Sequence, residues 1–404
     1  SSLFRLTVFG PGFSDVSMRG LLGRAGLLML WIPADSFVAD ADQKMYAAGL
    51  SRVSSLAEAV VSVFETTVPK PGHSEVLVQV EGSSMNHLDL LWHVLGSQPV
   101  WSTAESYWRL FGGFPKILGM DLAGTVVDVG PGVRKLSIGD KVWAMNAREA
   151  EWDGKVLGGL TGHAWARYVT VNEGSAGLMP SSLNFTEAGA LPLVAQTSLK
   201  ALKLLGAPWS GNVTVLILGS TGGTGHVAIQ LAKAMGATTV IATGSAIHSE
   251  FVKSLGADRF IDYHTEDWWN ASVVSDFSVD AVYDTVLQEG TGDRAFQKLK
   301  DHGRYVTLCA GIPSCGAPLP SFTTTVSRPT VRARRLRCIY GTCASAAALD
   351  ELRSYVDARM LRVHLDAITP LASIQHGVDL ISSRHVVGKV AVTMDGVDDP
   401  RIIV

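Results

Sequence analysis

The pattern of hydrophobic and polar positions predicts a strand-rich region in the first half of the chain. Glu75–Val80 alternates between apolar and polar residues after a turn at Lys70-Pro71-Gly72, which is typical of a strand. Similar short patterns, separated by glycine and proline, occur at Asp121–Val129, Asp140–Trp143 and Ala164–Val171. From roughly residue 70 to 175 we therefore expect an all-β or barrel-like region.

Helical periodicity appears near residue 185, and strands and helices alternate from there on. Phe185–Leu205 predicts a helix with Thr186 as its N-cap and an interruption at Pro192. The strands and helices predicted after it are Val213–Leu218, Gly225–Met235, Thr239–Ala242, Ser249–Leu255, Arg259–Asp262, Ala281–Asp284, Tyr305–Leu308, Ala346–Ala358 and Gly388–Thr393. This alternation predicts an α/β fold, with a parallel sheet covered by helices on both faces.

Composition and charge narrow the classes of function. The 404-residue chain is long enough for two cores, and its net charge of -3 argues against binding nucleic acid through phosphate contacts. No stretch reaches the roughly 18 to 20 apolar residues of a membrane span. The four cysteines (Cys309, Cys315, Cys338 and Cys343) form no CxxC pair, which favours a reducing compartment over disulfides or a zinc site, although the count alone permits either.

The first 43 residues allow two interpretations. They contain three arginines, few acids and many serine and apolar residues, a composition similar to that of a transit peptide. An extension that packs on the body of the protein or on a partner fits equally well, and the apolar pair Leu30-Trp31 favours docking.

A glycine turn, Gly219–Gly225, joins a predicted strand to a predicted helix. Glycine permits a tight turn and close approach of a pyrophosphate, and the helix N-terminus offers free N–H groups and a positive dipole end. Ser220 stands where the usual glycine frame begins, so the match is incomplete, but the strand before it and the helix after it favour a dinucleotide site over a purely structural turn. The residues expected to bind the pyrophosphate are Gly219, Ser220, Gly222, Gly223, Thr224 and Gly225.

The end of the next predicted strand indicates which nicotinamide cofactor binds. An acidic residue there would bind the ribose 2′-hydroxyl of NAD, but the chain has Ala242-Thr243-Gly244-Ser245. Hydroxyls and a glycine N–H suit a 2′-phosphate, so the sequence predicts NADPH with Thr243 and Ser245 at that phosphate. His248 and Lys253 offer nearby positive charge, although a solvated helix face accounts for Lys253 more readily.

Several segments together resemble the medium-chain dehydrogenase/reductase superfamily. The resemblance runs from about Met45 to Val392, and the segments that carry it are 69–80, 114–144, 191–202, the glycine turn with its helix, and 253–263. It implies a GroES-like β-barrel catalytic domain beside a Rossmann domain, with the cofactor in the cleft between them. The domains expected are an N-terminal extension over 1–43, the GroES-like domain over 44–190 completed by 346–404, and the Rossmann NADP(H)-binding domain over 191–345.

Within the superfamily the chain resembles the zinc-free quinone oxidoreductase branch, and most of all the reticulon-interacting mitochondrial NADPH oxidoreductases. Zinc alcohol dehydrogenases have a Cys where this chain has Asn86 and a His where it has Met120, and neither replacement is a good zinc ligand. No catalytic metal is expected. The resemblance implies hydride transfer from NADPH to a quinone or an α,β-unsaturated carbonyl.

The candidate catalytic residues follow the strand that contains Glu75–Val80. Asn86 and Asp89 match the family's NxxD box; Asn86 is expected to contact the nicotinamide or the substrate, and Asp89 to hold the loop. Many relatives have a proton-donating Tyr about five residues after Asn86, where this chain has Leu91. His87 or His93 are the possible substitutes, although a His at an apolar strand end is more often structural.

The resemblance adds further cofactor residues. Thr197 is expected on the helix that faces the nicotinamide, Tyr263 near the adenosine and Lys389 beside the cleft; their alternatives are a helix-interior hydroxyl, a strand-end aromatic and a solvated lysine. His248 stands where relatives often have a Lys for the 2′-phosphate. Because histidine is only partly charged near neutral pH, NADPH affinity is expected to weaken as pH rises.

A second hypothesis is an NADPH-binding accessory subunit of an organellar respiratory or photosynthetic assembly, with reduced catalysis. The absent tyrosine, the N-terminal extension as a partner contact, and the basic run Arg332–Arg337 favour it. That run suits an acidic partner or lipid head groups, but a solvated loop or helix face explains it more readily. The expected location is an organelle, the mitochondrion ahead of the plastid, with the cytoplasm as the fallback.

Overall fold

The structure is a computed structural model of the chain. It describes residues 43–52, 60–90, 115–146, 148–152, 155–286, 288, 290–308, 335–339 and 344–397, and for 148–152, 155–161 and 335–339 it describes the backbone alone. The predictions made for residues 1–42, Leu91, His93 and all the cysteines except Cys338 lie outside the described residues. Cys338 falls on a strand of which only the backbone is described.

Antiparallel strands form the region between residues 44 and 178. The strands are β1 (Lys44–Arg52), β2 (Val60–Thr67), β3 (Glu75–Met85), β4 (Lys116–Ile117), β5 (Asp121–Val129), β6 (Lys141–Met145), β7 (Arg148–Trp152), β8 (Lys155–Thr161), β9 (Tyr168–Asn172) and β10 (Ala176–Leu178). β3 pairs with β5 and β9, and β1 pairs with β2 and β4. The predicted barrel-like region is confirmed; alternation along β3 buries Val76, Val78 and Val80 on one face.

A six-stranded parallel sheet follows, with helices between its strands. The elements are α1 (Phe185–Ala188), α2 (Pro192–Leu205), β11 (Thr214–Leu218), α3 (Gly223–Ala234), β12 (Thr239–Gly244), α4 (Ser249–Ser254), β13 (Arg259–Asp262), β14 (Val279–Asp284), α5 (Thr291–Lys298), β15 (Leu299–Leu308) and β16 (Arg335–Ile339). The strand order is β13-β12-β11-β14-β15-β16. This is the order of a doubly wound Rossmann sheet, so the predicted fold class is confirmed.

The C-terminal segment returns to the antiparallel region. It contains α6 (Ala346–Asp357), β17 (Leu365–Pro370), α7 (Ile374–Ser382) and β18 (Lys389–Thr393). β18 pairs antiparallel with β3 and parallel with β17, so it extends the sheet of β3 and β5. Helix α2 packs in the interior, with 11 of its 14 residues buried, and its apolar side chains share one core with β11, α3 and α6. None of the described helices is long and apolar enough to cross a membrane.

Two local predictions are wrong. The N-cap of α1 is Asn184 rather than Thr186, because Asn184 Oδ1 accepts from Glu187 N at 2.9 Å while the Glu187 carboxylate accepts from Asn184 N at 3.1 Å. Part of the basic run lies in β16, the edge strand beside β15, rather than in a loop or helix. Strand pairing there overrides a charge pattern that suggested a solvated segment.

Candidate functional site

The glycine turn connects β11 to α3 at the carboxyl end of the parallel sheet. Gly222 is the N-cap, and α3 begins at Gly223, two residues earlier than the sequence predicts. The first turn of α3 therefore presents its N–H groups and positive dipole end at this edge. β11 lies between β12 and β14, where the strand order reverses, and doubly wound folds bind their ligands at this position.

Backbone geometry requires glycine at two positions of the turn, and a third position is open. Gly219 has a φ of 76°, in the left-handed region that favours glycine. A Cβ on Gly225 would collide with the carbonyl oxygen of Gly219 and would lie 2.8 Å from Cα of Ser220. At Gly222 a Cβ would meet only the Gly219 oxygen, at 3.8 Å. The open space beside Gly222, next to the N-terminus of α3, fits the approach of a cofactor phosphate.

Ser220 and Thr243 join the glycine turn to the end of β12. The N–H and the hydroxyl of Ser220 both donate to the carbonyl oxygen of Thr243, at 3.0 and 2.7 Å, and Gly219 N donates to Thr243 Oγ1 at 3.1 Å. Both side chains are buried. Both donors of Ser220 are thus engaged by Thr243 near the end of β12, and the predicted contact of Ser220 with the cofactor remains a prediction. A serine is accommodated in the glycine frame because the left-handed residue is Gly219.

The C-terminal strand β18 approaches the glycine turn from the other side. Gly388 N donates to Thr221 O at 2.8 Å, and Gly222 and Gly388 form a parallel bridge. A Cβ on Gly223 would lie 3.1 Å from Cδ of Lys389 and 3.3 Å from Cγ1 of Val194 in α2. Three segments therefore meet around Gly223, and this junction joins the two sheets.

A buried polar cluster lies beside this junction and consists of Ser84, Asn86, Asp89, Asp121 and Lys389. Asn86 Nδ2 donates to Asp121 Oδ2 at 2.9 Å and to Asp89 Oδ2 at 3.3 Å, while Asn86 Oδ1 accepts from Lys389 Nζ at 2.5 Å. Ser84 Oγ donates to Asp121 Oδ2 at 2.9 Å. The cluster brings together the end of β3, the residues after it, and the first residues of β5 and β18.

Lys389 is buried, so its alternative as a solvated lysine is wrong. Its side chain is 2 % exposed, and Nζ donates to Met85 O at 2.9 Å and to Asn86 Oδ1 at 2.5 Å, and lies 3.5 Å from Asp121 Oδ2. These partners engage the three N–H donors of the ammonium group. Burial lowers the pKa of Lys389, and the carboxylates of Asp121 and Asp89 oppose that shift. The head group holds the cluster while the aliphatic stem contacts the glycine turn.

Asp89 uses its two carboxylate oxygens differently. Oδ2 accepts from Asn86 N at 2.7 Å, whereas Oδ1 is buried and has no hydrogen-bond partner among the described residues. Burial, followed by the charge of Asp121, raises the pKa of Asp89 from 3.8 to about 7. Asp89 is therefore partly protonated at neutral pH. Its bonds to Asn86 are those expected of a residue that holds the loop.

His87, the candidate proton donor, follows Asn86 directly. Partial burial, and next the positive charges of Arg384 and Lys389, lower the pKa of His87 below its ordinary 6.5. The imidazole is mainly uncharged at neutral pH, and a neutral imidazole is a weak acid. These charges count against His87 as a proton donor.

His226, on α3, links the glycine turn to His364, the residue before β17. His364 N donates to His226 Nε2 at 3.3 Å, so the imidazole proton lies on Nδ1, which is 3.1 Å from Gly222 O. His364 O in turn accepts from Lys389 N at 2.9 Å. Burial lowers the pKa of His226 from 6.5 to about 4, which keeps the ring neutral. A neutral ring is what these two hydrogen bonds need, since Nε2 has to accept.

The residues predicted for the 2′-phosphate and adenosine end lie together at the carboxyl ends of β12 and β13. Ser245 follows β12 directly, and His248 ends a 3-10 helix over Ala246–His248. Tyr263 N donates to Gly244 O at 3.2 Å; the residue is 57 % exposed, and the centroid of its ring lies 4.4 Å from that of His264. The structure thus places them at the same edge of the sheet as the glycine turn.

Thr197 and Thr224 lie where α2 passes the glycine turn. Thr197 is buried on α2, and its neighbour Ser198 donates through Oγ to Thr224 O at 3.0 Å. This bond holds the start of α3 against α2. The predicted roles of Thr197 and Thr224 in cofactor binding remain predictions.

Sequence reasoning missed Asp121, Ser84 and His226. One signal was available for Asp121, since it is an acidic residue at the start of a strand whose following residues are mainly apolar, and such a residue needs a buried partner. Ser84 and His226 carried no comparable signal. Met120, where zinc relatives have a His, is buried in the core, and nowhere in the described ranges do three or more His, Cys, Asp or Glu side chains converge to hold a metal.

Comparison with known proteins gives matches to both halves of the fold. The model of the alcohol dehydrogenase GroES-like domain matches residues 72–181, and the model described as zinc-binding dehydrogenase matches residues 255–392. A solved quinone oxidoreductase from Coxiella burnetii superimposes with a TM-score of 0.70 and 27% identity, covering 87% of this chain and 100% of that structure.

Three curated relatives illustrate the range of similar proteins. A chloroplastic quinone-oxidoreductase homolog of Spinacia oleracea is 30% identical, over 81% of this chain and 92% of its own length. The mitochondrial NAD(P)H oxidoreductase RTN4IP1 of Mus musculus is 29% identical, over 80% and 82%. The 2-methylene-furan-3-one reductase of Solanum lycopersicum is 36% identical, over 62% of this chain but only 58% of that relative. The chain belongs to the medium-chain dehydrogenase/reductase superfamily and to its quinone oxidoreductase-like group.

Proposed function

We propose that the protein is an NADPH-dependent oxidoreductase that reduces a quinone or an α,β-unsaturated carbonyl without a metal. The observation that carries the proposal is the junction at Gly223, where a dinucleotide-type glycine turn directly adjoins the polar cluster at the end of β3. Relatives named for quinone and enone-type reduction share this fold. NADPH supplies the hydride, and the chain has to bind and orient it against the acceptor.

The glycine turn would hold the pyrophosphate. The N-terminus of α3 offers N–H groups and a positive dipole end beside the open face of Gly222. The absence of an acid at the end of β12 removes the group that would favour NAD. Ser245 and His248, which follow this strand, are the residues that would contact a 2′-phosphate. NADPH is therefore the expected cofactor, and NADH should bind more weakly.

The other end of the cofactor would lie near Asn86, Thr197 and Lys389. Asn86 has both amide hydrogens and one oxygen lone pair engaged in the polar cluster, so its amide is fixed and retains one acceptor position. Its role is to present an oriented surface rather than to move a proton. Because His87 is mainly neutral, we expect the proton that completes the reduction to come from solvent, with His87 as the alternative source.

The side chains at the two positions that bind zinc in the alcohol dehydrogenases support the proposal of zinc independence. Asn86 is committed to two carboxylates and an ammonium group, and Met120 is packed in the core. A cation at Asn86 would have to compete with the charge of Lys389 at 2.5 Å. Activity is expected to survive treatment with a strong chelator.

The test is NADPH oxidation with a panel of quinones and enones, with NADH as the matched control and with chelator present and absent. We expect turnover with at least one acceptor class, a preference for NADPH, and no effect of the chelator. Tight NADPH binding with no turnover would instead support the accessory subunit. Two structural observations favour that alternative: both amide hydrogens of Asn86 are engaged within the cluster, and His87 is only weakly acidic.

For location we propose an organelle, with the mitochondrion ahead of the plastid. The mouse relative is named mitochondrial and the spinach relative chloroplastic, so the relatives support an organelle without choosing between the two. Imaging the tagged protein against mitochondrial and plastid markers decides between them, and a diffuse cytoplasmic signal would overturn both.

A further inference from the structure

Asp121, the first residue of β5, contacts three separate segments through one buried carboxylate. Oδ1 accepts from the backbone N–H of Leu193 at 2.6 Å, within the first turn of α2. Oδ2 accepts from Ser84 and Asn86, both at 2.9 Å, and lies 3.5 Å from the ammonium of Lys389. The side chain is fully buried. A buried carboxylate needs such compensation, and here every compensating group belongs to the candidate site or to α2.

The orientation of the Asn86 amide depends on this carboxylate. Nδ2 faces Asp121 and Asp89, and Oδ1 faces Lys389. Turning the amide by 180° would direct its oxygen at two carboxylates and its N–H groups at an ammonium. Asp121 and Lys389 together therefore permit only one orientation.

Through its partners, the same carboxylate is also connected to the glycine turn and to α2. Lys389, which it faces, has its Cδ against Gly223 of the glycine turn. Leu193, which it binds, lies in the first turn of the helix that carries Thr197 and that bonds to the turn through Ser198. Asp121 thus connects to each element expected to border the nicotinamide.

We propose that Asp121 is a positioning residue for hydride transfer, which orders Asn86, Lys389 and the start of α2 in the geometry that the reaction needs. The inference rests on the proposed function. Asp121 itself is buried and acts only through these neighbours.

The discriminating variant is Asp121→Asn. An amide at this position cannot satisfy all of its neighbours. If its oxygen accepts from Leu193 N–H, its NH2 group faces the donors of Asn86 and Lys389. In the reverse orientation its NH2 group faces the N–H of Leu193. The ammonium of Lys389 also loses a nearby anion, which lowers its pKa further. We expect kcat to fall about tenfold or more, a smaller change in NADPH affinity, and a displacement of the pH profile toward acid.

The matched control is Asp280→Asn. Asp280 likewise accepts from a backbone N–H, that of Thr214 at 2.8 Å, and pairs with a lysine, Lys300, at 2.7 Å. It is the second residue of β14 and so lies toward the amino end of the parallel sheet, whereas the glycine turn lies at the carboxyl end. We expect it to affect thermal stability with little change in kcat or in the pH profile. An Asp280→Asn variant that matches Asp121→Asn in every readout would show that Asp121 is merely structural.

Lys389→Met tests the contact between Asp121 and Lys389 by changing the lysine. It also tests the proposal if Asp121→Asn does not fold. Methionine keeps the stem against Gly223 and removes the charge, so we expect a similar loss of kcat. In the double variant the losses should be less than multiplicative, because both changes disrupt the same arrangement. Wild-type kinetics in Lys389→Met, or fully multiplicative losses, would overturn the proposal.

The two proposals fail in distinguishable ways. If the wild-type protein binds NADPH but reduces no acceptor, the reductase assignment fails, and Asp121 is judged from the NADPH dissociation constant between pH 6 and 9. A pH dependence that differs from wild type in Asp121→Asn but not in Asp280→Asn then supports positioning of the binding site. Identical dissociation constants in all three proteins, or no NADPH binding by the wild type, overturn it.

Discussion

The glycine turn and the buried polar cluster meet at Gly223 and Lys389, yet they are built in opposite ways. The turn is seven consecutive residues that act through backbone geometry and small size. The cluster combines residues separated by up to 305 positions, from Ser84 to Lys389, and it acts through charge and hydrogen bonds between buried side chains. The turn is therefore sensitive to added volume, and the cluster to changes in charge.

This difference explains how far the sequence predicted the site. The turn carries its whole signal in one stretch between a strand and a helix, so its position and type follow from residues 213–237, even with Ser220 in the glycine frame. The open face of Gly222 and the use of Ser220 within the turn required the structure, since both depend on where Thr243 and Gly388 lie.

The polar cluster could be predicted only in part. Asn86, Asp89 and Lys389 were identified through a family resemblance, but their contacts with one another depend on the pairing of β18 with β3 and of β3 with β5. Asp121 and His226 were missed because a single polar residue in an apolar segment shows no partner in the sequence. The same limit applies to the fold: the parallel sheet follows from its alternation, whereas the short strand β4 and the strand at Arg335 depend on pairing with the more distant strands β1 and β15.

The largest effect is expected from added volume in the turn. Gly225→Ala should abolish measurable NADPH binding and destabilise the fold by about 1–3 kcal/mol, because the new Cβ collides with the Gly219 backbone. Gly222→Ala is the matched control: it should weaken NADPH binding about tenfold while stability changes by about 1 kcal/mol or less, since its Cβ enters open space. Thermal unfolding and a fluorescence titration with NADPH measure both. Wild-type affinity in Gly222→Ala would show that the phosphate lies elsewhere.

Asp89 tests the cluster through pH. Its folded pKa of about 7 lies above the ordinary 3.8, so its contribution to stability is fully present below pH 3.8 and is lost as pH rises toward 7. Asp89→Asn mimics the neutral acid, and its stability relative to wild type should therefore rise by a few kcal/mol between about pH 4 and 7 and then level off. Denaturant unfolding across this range gives the difference. A difference in stability that is constant with pH would show that the pKa of Asp89 is not raised.

His226, which contacts the glycine turn, should give the opposite dependence of stability on pH. Its folded pKa of about 4 lies below the ordinary 6.5, so its contribution is present above pH 6.5 and is lost as pH falls toward 4. His226→Asn does not titrate there and should gain up to about 3 kcal/mol on wild type over that fall in pH. The same unfolding series measures it. If the free energies of unfolding of His226→Asn and wild type change in parallel with pH, the pKa of His226 is not lowered in the folded protein.

The smallest effect is expected at the far end of the cofactor. His248→Ala should weaken NADPH binding about threefold and leave NADH binding unchanged, because an exposed charge pair contributes up to about 1 kcal/mol. His248→Lys supplies the charge that relatives often have there, so it should bind NADPH at least as tightly as the wild type. Titrations of the wild type and both variants with NADPH and NADH are the measurement. An equal loss of NADPH and NADH binding in His248→Ala, or no loss of either, would show the assignment of His248 to be wrong.

The most direct measurement follows the hydride itself. NADPH carrying deuterium at C4 of the nicotinamide is incubated with the protein and a panel of quinones and enones, and each reduced product is analysed by mass spectrometry. The proposed function predicts deuterium at the β-carbon of an enone product, or stoichiometric loss of NADPH with a quinone, in both cases unaffected by chelator. NADPH that stays unconsumed with every acceptor, while it still binds in a manner sensitive to Gly222→Ala, would contradict the reductase and leave a cofactor-binding protein.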